Sequence, residues 1–324
     1  METRSEQDRI HRLEFDVEWP PGHVACYFID GPEPILIDTA LPDSERTLTD
    51  AFSESGLPIA DVEHVVITHP HIDHIAGVPE LLDAADPTVY APTGVRKRFL
   101  QDPAAVGERV RRNCRKGGFP EERTETAVEM AVESLERNIE FLNPEDVDVW
   151  IDHGESIEID QFSIEALHLP GHQADHLGYI VEVRGEEIFF SGDMAIQPFR
   201  PIVLHDGLDD GYQDAFDAFY RALDRMEGLA IDRVYPCHGP IHNELGAVLK
   251  RDREALAARL GHVVDLVSDG HDTAASVVHA TKGTHDINYI IPEMMGALAY
   301  LESTDRLTSE RRDGVSYYRN TDST

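Results

Sequence analysis

Cysteine is scarce. Cys26, Cys114 and Cys237 are the three present, and no two of them form a Cys-x-x-Cys pair. A disulfide framework is therefore not expected, and a reducing compartment is. Lysine is also nearly missing: Lys97, Lys116, Lys250 and Lys282 are the four among 28 basic residues. Against these stand 62 acidic residues, for a net charge of -34. The acids are dispersed along the chain and do not form a tail. Dispersed acid at this density repels itself at low salt and is screened at molar salt. The composition is of halophile type and points to a cell with a salty cytoplasm. No apolar run approaches the ~20 residues that span a bilayer. Residues Met1 to Asp8 are polar and carry no apolar signal region. A soluble cytoplasmic protein is expected. Repeats and low-complexity tracts are absent as well. What is present is a chain of 324 residues, 41% hydrophobic, enough for a main domain and a smaller one.

Short apolar runs dominate the first part. Val24 to Ile29 and Ile35 to Ile37, separated by Asp30-Gly31-Pro32-Glu33-Pro34, read as a hairpin. A helix is expected from Ser44 to Ser55, ended by Gly56, then a strand at Val65-Val66-Ile67, a helix from Gly77 to Ala84 and a strand at Thr88 to Tyr90. From about residue 93 to 145 strand signals vanish and a helical insertion is expected. Its first half holds Arg96, Lys97, Arg98, Arg109, Arg111, Arg112, Arg115 and Lys116. This cluster reads as a lid for an anionic substrate or, the favoured reading, as helices whose arginines bridge to neighbouring acids. Strands resume at Val147 to Ile151, Ser156 to Ile159, Phe162 to Leu167, Tyr179 to Val183 and Glu187 to Phe190. A helix from Tyr212 to Met226 and a strand at Arg233 to Tyr235 follow. Beyond residue 245 the chain reads as helices at Val248 to Val267, Thr273 to Ala280 and Pro292 to Leu301, then a hairpin between Leu307 and Tyr318 around Gly314. Helices followed by a two-stranded wing suggest a small winged-helix-like domain.

Thr68-His69-Pro70-His71-Ile72-Asp73-His74 carries the chemistry. Four metal-ligating side chains fall within six residues after a buried-strand pattern. Imidazole with carboxylate suits zinc or iron. His69 and His71 can converge on one ion, while Asp73 and His74 follow where the chain turns away and can reach a second. Asp38, His172, Asp193 and His238 each follow a predicted strand too, the last three beside glycine, where backbone can approach closely.

In this order the motifs resemble those of metallo-β-lactamase-fold hydrolases: Asp38, Thr-His-Pro-His-Ile-Asp-His, Pro-Gly-His172, Ser-Gly-Asp193 and Cys-His238-Gly. The resemblance covers about residues 15 to 245 apart from the insertion. It implies an α+β four-layer αββα fold, with a catalytic domain at 1–245 and the winged-helix-like domain at 246–324. It implies two divalent metal ions, zinc first, with iron or manganese as alternatives. His69, His71 and His172 would hold one ion; Asp73, His74 and His238 would hold the other; Asp193 would bridge them. Asp38 would orient a ligating imidazole. Asp73 would also orient the nucleophile or accept its proton. His176 and His23 are candidates for the substrate pocket, each with a purely structural alternative.

The implied activity is hydrolysis of a small-molecule ester or thioester by a metal-bridging hydroxide, of hydroxyacylglutathione-hydrolase type. No stretch matches a glutathione-binding tail. RNA cleavage by the same metal pair is the alternative. It is encouraged by a tail similar to that of the β-lactamase-like protein and endoribonuclease branch, and discouraged by the overall charge. A mononuclear iron sulfur dioxygenase is a third reading, weakened by the complete second ligand set. The tail is not basic, so packing or homodimer formation is favoured over contact with nucleic acid.

Overall fold

The computed structural model describes residues 10–42, 46–281 and 287–321, with the side chains of residues 287 and 288 left aside. Met1 to Asp8, the expected helix start at Ser44 and Lys282 lie outside the described residues. Strands β1 (Ile10–Asp16), β2 (His23–Ile29) and β3 (Ile35–Ile37) come first. Next are α1 (Leu48–Glu54), β4 (His64–Val66), α2 (Ile72–Ile75), α3 (Val78–Ala85) and β5 (Thr88–Pro92). The insertion supplies α4 (Thr93–Phe99), α5 (Pro103–Lys116) and α6 (Glu121–Phe141). Then follow β6 (Val149–Ile151), β7 (Ser156–Ile159), β8 (Phe162–His168), β9 (Leu177–Val183), β10 (Glu186–Gly192), α7 (Ala215–Met226) and β11 (Arg233–Pro236). The chain closes with α8 (Leu245–Ser268), α9 (Ala274–Thr281), α10 (Ile287–Ser303), β12 (Leu307–Arg312) and β13 (Val315–Asn320).

Two sheets form the centre. One runs β1-β2-β3-β4-β5-β6 and the other β11-β10-β9-β8-β7. β3 to β6 pair parallel, and β10 pairs parallel with β11. The residues between the sheets come from both, among them Tyr27, Ile37, Val66, Ile164, Tyr179 and Phe190. Tyr27 spans the gap: its ring lies 5.5 Å from Phe190, and its hydroxyl donates to the Pro236 carbonyl at 2.6 Å. Tyr179 answers from the other sheet, donating to the Ile67 carbonyl at 2.8 Å. Buried aromatics with a satisfied hydroxyl cost nothing in lost hydrogen bonds and add roughly 0.5–1.5 kcal/mol per ring pair. The outer faces carry the helices. α1, α3 and the insertion cover the first sheet, and α7 with α8 to α10 covers the second. The expected αββα layering is observed.

Two elements were not anticipated. β1 reads Ile-His-Arg-Leu-Glu-Phe-Asp; only Leu13 and Phe15 are buried, so its period of two is diluted by charge. α2 is one turn long, too short to leave a periodic pattern. The first helix starts later than expected because Thr47 and Asp50 form a capping box there. α10 begins before Pro292, which lies inside the helix. The C-terminal part is three helices and a two-stranded hairpin. Its Val263, Met294, Leu298 and Tyr318 belong to the same apolar cluster as Phe216 and Phe219 of α7.

β3, β4, β8, β10 and β11 all end toward one edge of the sandwich, stitched across by Leu177 N–H to Thr68 O at 2.9 Å and Ala25 N–H to Cys237 O at 2.8 Å. Gly171 permits the turn off β8. Its φ is +126°, and a Cβ there would sit 2.5 Å from the Phe219 Cα. Gly185, in the β9–β10 turn, has φ +83° and open space around it. Gly185→Ala should therefore cost about 1–2 kcal/mol in a urea melt, from backbone handedness alone. Gly171→Ala should cost at least about 2 kcal/mol more, since steric overlap is added. Equal losses would mean that α7 does not press on that turn.

Candidate metal centre

Asp38 follows β3 in a left-handed conformation, φ 56°, and is completely buried. Its carboxylate accepts from Thr68 N–H at 2.7 Å, Thr68 Oγ1 at 2.7 Å, His74 Nδ1 at 2.8 Å and Cys237 Sγ at 3.3 Å. A buried carboxylate is tolerable only when its lone pairs are filled in this way. Burial and then Asp38 push the Cys237 thiol well above its ordinary range, so it stays a donor. Three strand ends, β3, β4 and β11, are thus tied to one side chain. Thr39, next to Asp38, holds the turn of α2: its N–H and Oγ1 both donate to the His74 carbonyl, at 2.8 and 2.9 Å.

The imidazoles are held with one orientation in common. His172 Nδ1 faces the Ile202 carbonyl at 3.2 Å, and His238 Nδ1 faces the His23 carbonyl at 2.9 Å. Carbonyl oxygens only accept, so both Nδ1 atoms carry the proton. Thr68 Oγ1 gives its proton to Asp38 and therefore accepts from His69 Nδ1, 3.0 Å away. His74 Nδ1 donates to Asp38. Four rings are thereby left with Nε2 facing inward. Fixing the outer nitrogen is what orients a metal-ligating histidine.

Two donor groups result. His69, His71, His172 and Asp193 each offer an atom within 4.8 Å of the others, and so do Asp73, His74, Asp193 and His238. His71 Nδ1 lies 3.0 Å from His69 Nε2 and 3.1 Å from His172 Nε2. Asp193 reaches both groups: Oδ2 is 3.2 Å from His172 Nε2, and Oδ1 is 3.3 Å from His74 Nε2 and 3.5 Å from His238 Nε2. Asp73 Oδ2 lies 3.1 Å from His238 Nε2.

Charge in this cluster is far from ordinary. Burial pushes His69 well below the usual histidine range, helped by His74 and His71. Burial, with His172 beside it, pushes His71 down to about 3. Burial opposes charge on His74 and His238 as well, but Asp193 and its carboxylate neighbours overcome it. His74 is held well above its ordinary value and His238 is raised to about 9. Burial favours protonation of Asp73 and Asp193, yet the rings prevail. His74 and His238 bring Asp73 down to about 2, and His238 and His74 hold Asp193 well below its usual range.

The donor set fits divalent ions. His74 Nε2 and Asp193 Oδ1 are buried without a hydrogen bond. Bare imidazole nitrogens only ~3 Å apart repel unless a cation or a proton lies between them. Nitrogen with carboxylate oxygen is the chemistry of zinc and its neighbours.

The two candidate pocket residues make structural contacts. His176 has no exposed surface; its Nε2 accepts from Asp193 N–H at 3.1 Å beneath Gly192. It braces the Asp193 turn. His23 holds the His238 loop, through its carbonyl and through Nε2, which accepts from Gly239 N–H at 3.2 Å. The insertion leans on the site, as a lid would: Asn138 of α6 donates to the Pro70 carbonyl at 2.7 Å. Five of its arginines are paired with acids, and Arg96 lies over the Trp150 ring. Arg98 binds Asp175 and Asp206, Arg109 binds Asp209, Arg111 binds Glu125, Arg112 binds Asp210 and Arg115 binds Glu121. The bridging reading of the basic cluster holds over the anion-binding one. Asn138, Ile202 and the Arg98 partners were not anticipated, because backbone carbonyls and long-range pairs leave no local motif.

Residues 19–238 match the family model described as the metallo-beta-lactamase superfamily, and the chain belongs to that superfamily, whose members are generally hydrolytic enzymes. A metallo-beta-lactamase family protein from Thermus thermophilus superposes with a TM-score of 0.78 at 22% identity, over 96% of this chain and 98% of that one. A beta-lactamase domain protein from Burkholderia ambifaria gives 0.77 at 19% identity, over 97% and 93%. The fold likeness therefore includes the C-terminal helices and hairpin. Among curated proteins, the chain is 22% identical over 240 residues to a beta-lactamase-like protein 2 homolog of Caenorhabditis elegans, covering 72% of this chain and 63% of that protein. It is 23% identical over 309 residues to an atrochrysone carboxyl ACP thioesterase of Aspergillus fumigatus, covering 88% and 58%. The matches thus span little more than half the length of these relatives. Among the described residues no helix is long and apolar enough to cross a membrane.

Asp38→Asn removes one acceptor from the Thr68, His74 and Cys237 donors. Zinc affinity, measured by competition with a chelator, should fall about 10–100-fold; unchanged affinity would show that Asp38 does not orient the ligands. His238, raised to about 9, is protonated at neutral pH and must lose that proton to coordinate. Zinc affinity should therefore rise between pH 6 and 9, about tenfold per pH unit for each proton released. A flat profile would contradict the protonated centre.

Proposed function

We propose that the chain hydrolyses thioesters of small acyl groups, using two divalent ions, zinc first with iron or manganese as alternatives. The observation that carries this reading is Asp193, whose two oxygens lie against both donor groups at once. His69, His71 and His172 would hold one ion, Asp73, His74 and His238 the other, with Asp193 between. Bound there, the pair supplies a water acidified enough to attack at neutral pH and positive charge for the carbonyl oxygen.

The chain's own residues do the rest. Asp73 stays ionised, held down by His74 and His238, and can orient the attacking water or accept its proton. Asp38 and the carbonyls of Ile202 and His23 keep the rings from turning. Water adds across the acyl carbon–sulfur bond: carbon–oxygen forms, carbon–sulfur breaks, and the sulfur leaves as a thiolate that takes up a proton. A thiol of pKa about 8.5 departs readily, so the demand falls on the nucleophile, where this site is equipped.

The named thioesterase relative supports the substrate class. RNA cleavage is the weaker reading, because Arg98, Arg109, Arg111, Arg112 and Arg115 already hold acids. We read the residues beyond 245 as a packing element on α7, winged-helix-like in element order. The dispersed acid fits work in a salty cytoplasm.

The test is a panel of acyl thioesters, esters and single-stranded RNA, offered to zinc-loaded protein in molar KCl. Thioester turnover should vanish on chelation and return with zinc. His172→Ala should lower kcat/KM more than the ~100-fold upper cost of losing an outer partner. Turnover of RNA with none of any thioester would overturn the assignment.

A further inference from the structure

A cavity of about 590 Å³ opens beside His71 and lies between the insertion, the 204–209 loop and the start of α10. Its volume is in the range of small-molecule sites. Ala127, Met130, Ala131 and Leu135 line it from α6. Their spacing of three, one and four makes a single apolar stripe on that helix. Tyr289 and Ile291 of α10 also form part of the wall. Met130 and Tyr289 are each 42% exposed, placing large apolar surface in water at this cleft. Such surface beside a reactive centre marks a binding groove rather than ordinary packing.

The charged residues of the wall narrow the occupant. Arg98 of the wall is bound to Asp175 and Asp206, and Asp209 of the wall is held by Arg109 through two oxygens at 2.6 and 2.8 Å; Glu122 and Arg123, opposite in sign and both exposed, line it from α6. The Arg98 and Asp209 charges are already neutralised, so the wall around them has little to offer a carboxylate or a phosphate. An uncharged chain loses nothing there and gains the apolar stripe.

We propose that this cavity is the acyl-chain subsite, taking an uncharged aliphatic chain whose thioester carbonyl lies toward His71. The inference rests on the thioester reading above and extends it: the insertion is a chain-length gauge. Burying each methylene against α6 contributes about 0.8 kcal/mol. Where that energy is realised in the transition state, kcat/KM rises about fourfold per methylene.

The test uses zinc-loaded full-length protein in molar KCl and the N-acetylcysteamine thioesters of acetate, butanoate, hexanoate, octanoate and decanoate. The kcat/KM should climb about fourfold per methylene over the shorter members. Ala131→Trp, which fills the stripe, should cut the octanoyl-to-acetyl ratio of kcat/KM at least tenfold. Met130→Asp changes an exposed position the fold can spare and should move the same ratio the same way; circular dichroism checks both variants for folding. Calorimetry then compares decanoate with acetate as free ligands. Decanoate should bind at least a hundredfold tighter, and Ala131→Trp should erase the difference.

Thioester turnover with a flat chain-length series would overturn the subsite and leave the proposed function standing. Absence of all thioester turnover, with tail-dependent decanoate binding that Ala131→Trp removes, would overturn the function and uphold the groove. Equal binding of decanoate and acetate would overturn the groove in either case.

Discussion

One buried carboxylate organises this molecule. Asp38 gathers donors from the loop after β4, from the turn of α2 and from the loop after β11, all without solvent to share the load. Remove it and His74 loses its orientation, Thr68 loses the partner that lets it accept from His69, and Cys237 loses the acceptor beneath His238. The orienting bonds run outward to backbone as well. Ile202 and His23 each spend a carbonyl on fixing a ring. The result is a cluster whose inward atoms are nearly all acceptors, a state that stands only with positive charge among them. The carboxylates around His74 and His238 favour protons there, which would supply part of it; divalent ions would supply it better.

The sandwich explains why such a cluster can exist. Strand ends are where side chains leave the sheet without breaking its ladder, and here ends from both sheets share one edge. Tyr27 and Tyr179 lock the sheets together close to that edge, each with its hydroxyl on a carbonyl across the gap. The insertion then leans on the His71 loop through Asn138. Acidic dispersal matters here too. The arginines of α4 and α5 meet Asp175, Asp206, Asp209 and Asp210 next to the site, so the insertion is fastened there by charge.

Much of this was legible in the chain. The strands announce themselves in two ways: β2 and β10 carry near-continuous hydrophobics because both faces are buried, while β7 and β8 alternate buried with exposed residues. The donor residues are legible for a chemical reason: three imidazoles and a carboxylate do not crowd six residues by accident. β1 hid behind its charged outward face, and α2 behind its brevity. For His176 and His23 the sequence leaves two readings open, because a histidine after a turn looks the same whether it faces substrate or a neighbouring N–H. The carbonyls of Pro70, Ile202 and His23 have no letter of their own. The pairs of Arg98 and Arg109 join residues some 80 to 110 positions apart, a distance at which charge alone names no partner.

The central claim is that two adjacent donor groups share Asp193 around two divalent ions. Anomalous X-ray diffraction at the zinc edge, on crystals of zinc-loaded protein grown in high salt, tests it directly. The account predicts two peaks per chain, one among His69, His71 and His172 and one among Asp73, His74 and His238, with Asp193 touching both. A single peak, or zinc bound away from these residues, would contradict it.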